Sequence, residues 1–127
     1  MYEKYVISQP TETYDYRYHD KPDEPFRFFM NRELVPEATV FTDVFYRKEV
    51  PKVNPTCERH SHPTPQILMF VGEEGAFEVK VPLNDEVFTI TKTTVIWVPA
   101  NVEHNVTYIR IDQPMVESGI LLQGEYA

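Results

Sequence analysis

A chain of 127 residues has room for one domain and one core, and its 42% hydrophobic and 13% aromatic content supplies enough apolar surface to offset chain entropy, which argues against disorder. Twenty acidic residues against twelve scattered basic ones leave a formal charge of −8, so a phosphate backbone is a poor partner and nucleic-acid binding is not expected. A single cysteine, Cys57, excludes an internal disulfide and fits a reducing compartment, with the cytoplasm as the default location.

In chain order, the amino terminus "MYEKYVISQPTETYDYRYHD" is polar and acidic where a signal peptide would be basic and then apolar. The longest unbroken apolar run, 67–71, is far too short to span a bilayer, so neither export nor a membrane partner is expected. Residues 1–35 read as an amino-terminal arm. In "TYDYRYH" an extended chain would set Tyr14, Tyr16 and Tyr18 on one face; "DKPDEPF" then breaks the pattern, and a short helix can follow around 26–33. Whether the arm packs on its own barrel or on a partner subunit's sheet edge stays open.

Residues 36–127 read as one all-β domain. Prolines sit between short apolar runs and leave no space for a long helix. Strands are expected at 39–49, 66–71, 76–81, 86–91, 94–98, 105–111 and 115–122, each rich in Val, Ile, Thr, Phe or Tyr, with turns at "GEEG", "LNDE" and "IDQP". Short strands at such even spacing argue for a sandwich or barrel.

Histidine supplies the chemistry. His60 and His62, two apart, would share one strand face about 7 Å apart and can converge on one ion. Gln66 keeps the same parity beyond "PTP", and His104 follows the proline turn in "VIWVPANVE". This order resembles the two sequence motifs of the cupin superfamily. The first runs through Asn54 (in place of a glycine), His60, His62, Gln66 (in place of a glutamate) and Gly72; the second runs through Thr93, Pro99, Asn101, His104 and Tyr108, with Thr93 and Asn101 in place of glycines. Both lie within residues 54–108. The resemblance implies a single-domain jelly-roll β-barrel, a homodimer in which the arm is an exchange element, and one divalent transition metal per chain held by His60, His62, His104 and Gln66. Imidazoles and an amide oxygen suit Zn, Fe, Ni, Co, Cu or Mn without choosing among them.

A glutamine ligand leaves the metal its full charge. That favours Lewis-acid work on a small oxygenated molecule, of isomerase, cyclase or lyase type, over a site with two histidines and a carboxylate. The alternatives are an Fe(II)-dependent dioxygenase acting on an enol or diketone-like substrate, which some cupins with three histidines are, and a non-catalytic cupin that binds a small molecule. Glu58, two residues before His60, is a candidate acid or base if the strand starts there, and a solvated turn residue if it does not. Tyr108 and Tyr46 are candidates to orient substrate by their hydroxyls, and Arg110 to hold a substrate carboxylate unless it lies at the solvent end of its strand. Trp97, Phe70, Leu68 and Phe88 read as barrel lining, Cys57 as structural and His19 as a surface residue.

Overall fold

The computed structural model describes residues 1–123 apart from 17, 20, 21 and 23. After a short turn of 3-10 helix, Glu3–Tyr5, the elements are β1 (Thr11–Thr13), β2 (Phe26–Met30), β3 (Phe41–Asp43), β4 (Phe45–Arg47), β5 (Gln66–Val71), β6 (Phe77–Leu83), β7 (Glu86–Ile90), β8 (Thr94–Val98), β9 (Thr107–Ile111) and β10 (Met115–Leu121). No described helix is long and apolar enough to cross a membrane.

The strands form two antiparallel sheets. One runs β1-β2-β3-β10-β5-β8, with β4 also paired to β10; the other runs β7-β6-β9. Side-chain alternation sets which face is covered, since a slip of one residue would turn the whole apolar set outward. Leu68 and Phe70 of β5, Phe77, Val79 and Val81 of β6, Val98 of β8, Tyr108 of β9 and Met115 of β10 meet between the sheets. Phe26, Phe28, Phe41, Phe45 and Leu121 form a second cluster at the other end of the larger sheet. The fold is the all-β jelly-roll expected from the strand spacing and the motifs.

Several local expectations change. The single strand expected at 39–49 is two, because Val44 turns its N–H to the Arg27 carbonyl of β2 and interrupts pairing with β10. Phe26–Met30 is a strand and not the start of a helix: Phe26 and Phe28 face the core with Arg27 between them, a period of two, and the segment pairs with both β1 and β3. The arm sequence therefore contributes to the main sheet of its own chain. Tyr14, Tyr16 and Tyr18 do not share a face. Tyr14 is exposed, Tyr16 packs edge-on against Phe26 and Phe28, and Tyr18 takes a left-handed φ of 66°. Trp97 is 55% exposed, because Val98 takes the inward parity of β8. Phe88 lies opposite the buried Val81, but β7 is an edge strand and 42% of Phe88 stays open to solvent.

Two glycines are required by close packing. A Cβ at Gly72 would sit 2.9 Å from the ring of Phe77 and 3.0 Å from Cβ of Met115. One at Gly119, on β10, would meet Nε2 of Gln66 at 3.2 Å and Oδ1 of Asp43 at 3.3 Å.

Candidate metal centre

Two loops and the start of β5 bring the ligand residues together. His60 and His104 pair as an isolated antiparallel bridge, each N–H donating to the other's carbonyl at 3.2 and 2.9 Å. The Asn101 N–H donates to the His62 carbonyl at 2.8 Å, which ties the two motif segments to each other. Asn101 itself has φ 65°, the conformation expected of an asparagine standing where the motif has glycine. Asn54, at the other glycine position, uses its side-chain amide as a backbone substitute: Oδ1 accepts the Tyr108 N–H at 2.9 Å and Nδ2 donates to the Tyr108 carbonyl at 2.8 Å.

The three imidazoles lie with ring centroids 4.6 Å (His60–His104), 4.9 Å (His62–His104) and 5.6 Å (His60–His62) apart. All are largely buried, and their ligand nitrogens fall within 4.8 Å of one another. Each ring is oriented the same way. Nδ1 meets a backbone carbonyl two residues away: Glu58 for His60 at 2.7 Å, Thr64 for His62 at 2.6 Å and Val102 for His104 at 2.9 Å. A carbonyl only accepts, so Nδ1 carries the proton and Nε2 presents a lone pair. Burial, before the repulsion of its neighbours, drives His104 down to about 4 and lowers His60 as well, against the opposing pull of the carbonyls. Neutral imidazole is the form that binds a cation.

Gln66 lies beside the rings. Its Oε1 lies 3.0 Å from Nε2 of His62, while its Nε2 lies toward Gly119 and Asp43. In the Nδ1–H form of His62 both atoms offer lone pairs 3.0 Å apart, two donors that one cation can share. Three imidazole nitrogens and an amide oxygen are a donor set that suits a divalent cation, which such ligands hold at about 2.0–2.1 Å.

A cavity of about 40 Å³, room for one or a few water-sized groups, adjoins this cluster. His60, His104 and Gln66 line one side and Asp43, Arg47 and Glu117 another. Arg47 Nε donates to Oε1 of Glu117 at 3.0 Å, and the Tyr108 hydroxyl donates to the same oxygen at 2.5 Å. Burial opposes the Arg47 charge, but Glu117 overrides it and holds the guanidinium charged; burial first, then Glu117, keeps the Tyr108 hydroxyl protonated. Asp43 accepts the Gly119 N–H on Oδ1 at 2.8 Å. Burial and then Glu117 raise its carboxyl from 3.8 to about 7, against the Gly119 bond and Arg47. Beyond Arg47, Phe45 and Thr56, which belong to both walls, a surface cleft of about 500 Å³ opens between Tyr46, Lys48 and Pro51.

The structure places the other candidates as follows. Glu58 is exposed and lies outside the cavity wall, and its carbonyl, not its carboxylate, serves the site by orienting His60. Tyr108 stands behind Glu117 and reaches the cavity through it. Tyr46 points outward, 58% exposed, because its neighbours Phe45 and Arg47 take the inward parity. Arg110 lies at the solvent end of β9 and caps the chain at the Gly75 carbonyl at 2.8 Å. Cys57 is buried and pushed up to about 12 by that burial, hence inert. His19 is not a surface residue: it lines the cavity, stacks on Tyr16 at 4.4 Å and meets His60 edge-on at 6.1 Å, while Tyr18 stacks on His60 at 4.5 Å. Asp43, Arg47 and Glu117 were not anticipated. Their signal was a charge at an inward position within an apolar strand, a rare arrangement unless the group is paired or used.

No family model matches the sequence, and no curated protein matches it significantly. Solved structures do match. One described as a predicted oxalate decarboxylase from Thermotoga maritima aligns with a TM-score of 0.61 at 12% identity, over 94% of this chain and 96% of that one. An RmlC-like cupin from Shewanella frigidimarina gives 0.54 at 14%, over 92% and 96%, and a cupin 2 domain-containing protein from Halorhodospira halophila gives 0.59 at 17%, over 79% and 63%. At these identities the likeness concerns the fold, and the fold is that of the cupins.

Proposed function

We propose that this cupin-fold protein is a metal-dependent enzyme doing redox-neutral Lewis-acid chemistry, of isomerase, cyclase or lyase type, on a small oxygenated molecule. The observation that carries the reading is the ligand set: three imidazoles, each with Nε2 freed by a carbonyl on Nδ1, facing one amide oxygen, with no carboxylate among them. A divalent cation there supplies a strongly polarising centre, since no direct ligand is anionic. His60, His62, His104 and Gln66 hold it. The small cavity limits water beside it, and the Arg47–Glu117–Tyr108 group fixes the wall that a substrate oxygen meets. The larger cleft beyond Arg47 accommodates the rest of the molecule.

The ligand set does not choose among zinc, iron, nickel and manganese, so the test loads each in turn. Wild-type protein is incubated in D₂O with small 2-oxo and 2-hydroxy acids, and proton exchange and isomer formation are followed by NMR beside an oxygen electrode. Metal-dependent exchange or interconversion without oxygen uptake supports the reading. Iron-dependent oxygen uptake replaces it with a dioxygenase, and ligand binding without turnover under every metal replaces it with a binding protein.

We also propose that the active form is a homodimer built on the outer face of the larger sheet. Val95 and Trp97 of β8, Val71 of β5 and Tyr46 of β4 are exposed there, and by register Ile67, Met69, Val116 and Ile120 share that face. A chain of net charge −8 has most to gain by meeting its copy through this uncharged part of the face, away from Arg27 and Glu12 on β2 and β1.

A further inference from the structure

Four neutral ligands leave a buried dication unbalanced, and a buried charge without a partner is strongly unfavourable. Two carboxylates line the cavity beside the histidines, Asp43 and Glu117. Glu117 is already matched, since its Oε1 takes both the Arg47 guanidinium and the Tyr108 hydroxyl. Asp43 is not matched in this way. Its one side-chain hydrogen bond, the Gly119 N–H, falls on Oδ1, and Oδ2 takes none from the described chain. Its carboxylate also shares the cavity wall with the ligand amide: Oδ1 of Asp43 and Nε2 of Gln66 both lie over Gly119, 3.3 and 3.2 Å from where a Cβ on that residue would stand. That amide nitrogen faces the Asp43 side while the amide oxygen faces His62, so a negative charge on Asp43 polarises Gln66 in the sense that makes its oxygen a better ligand.

We infer that Asp43 is the charge-balancing partner of the metal centre, acting from β3 across Gly119 without entering the ligand set. The inference rests on the metal-binding reading and deepens it. Its location explains why β10 carries glycine at position 119, where any Cβ would wedge the carboxylate and the amide apart.

The test is a cycle of Zn²⁺ affinities, measured by competition with a chromophoric chelator, for wild type, Asp43→Asn, Gln66→Glu, the double variant and His62→Ala. Asp43→Asn keeps the size of the side chain and an acceptor for the Gly119 N–H, and it is expected to weaken binding about 10- to 100-fold, the usual effect of losing a group behind the ligands. Gln66→Glu, which brings a carboxylate into the ligand set, is expected to raise affinity far more in the Asp43→Asn background than in wild type. Unchanged affinity in Asp43→Asn, or equal gains from Gln66→Glu in both backgrounds, overturns the inference while leaving the metal site standing. Wild type that binds Zn²⁺ no better than His62→Ala overturns the metal site and the inference with it.

Discussion

Replacing Asp43 with asparagine should change how the metal-free protein's stability depends on pH, in a direction set by the cavity. The folded carboxyl holds its proton up to about pH 7, whereas the unfolded chain releases it near 3.8. Between these values the folded state binds more protons than the unfolded state, so this group's contribution falls as pH rises and is level above about pH 8. The gap corresponds to at most about 4 kcal/mol at 1.36 kcal/mol per pH unit. His104 works the other way. Its folded value of about 4 lies below the ordinary 6.5, so its contribution is present above 6.5 and lost as pH falls toward 4, about 3 kcal/mol at most. The two slopes oppose each other in wild type, and His60, lowered by burial as well, adds to the histidine side. Asp43→Asn leaves Glu117 of β10, Arg47 of β4 and the cavity histidines in place, and so exposes the histidine slope alone. Urea unfolding of both proteins, in chelator, from about pH 4 to about pH 8, should show the variant gaining stability with pH relative to wild type, the difference growing by about 2 kcal/mol or more. Parallel profiles would refute the reasoning.

Gly119→Ala should lower both stability, by about 1–3 kcal/mol, and Zn²⁺ affinity, because the new Cβ meets Gln66 and Asp43 at once; calorimetry and chelator competition read the two effects. Arg47→Ala, which strands Glu117 in the interior, should cost about 3–5 kcal/mol in urea unfolding, and the joint replacement Arg47→Met with Glu117→Leu much less. Phe70→Ala, at a fully buried position between the sheets, should cost about 3–5 kcal/mol in the same assay. Trp97→Lys should shift the protein from dimer to monomer in light scattering with its Zn²⁺ affinity intact, if the outer face of the larger sheet is the interface.

The strands after residue 60 were legible because alternation and turn residues agree there: 66–71 and 94–98 coincide with β5 and β8, and Asn84 closes the "LNDE" turn with a left-handed φ of 53°. The three histidines and Gln66 were legible through order and spacing, although His60 and His62 converge from a pinned loop and not from one regular strand. Alternation tells only which residues share a face, not which face is covered, and that is why Trp97 and Phe88 read as lining. Phe26–Met30 reads ambiguously because "FRFFMNRE" satisfies either period over so short a stretch; pairing with β3, far along the chain, decides it. The same long-range assembly hid Asp43, Arg47, Glu117 and His19, which come from the adjacent strands β3 and β4, from β10 and from the arm, and meet only in the folded barrel.

The carbonyl that orients each imidazole comes from two residues away on the same stretch of chain. Each histidine therefore carries its own aiming device in a segment of three residues. What the barrel must supply is only the place where the segments meet, through the His60–His104 pair and the Asn101–His62 bond. Loops elsewhere on this rim are free to lengthen, shorten or exchange residues over generations without disturbing the aim of the rings. The lining of the cavity can change while the three imidazoles keep their bearing, which is the condition under which one scaffold comes to hold different ligands.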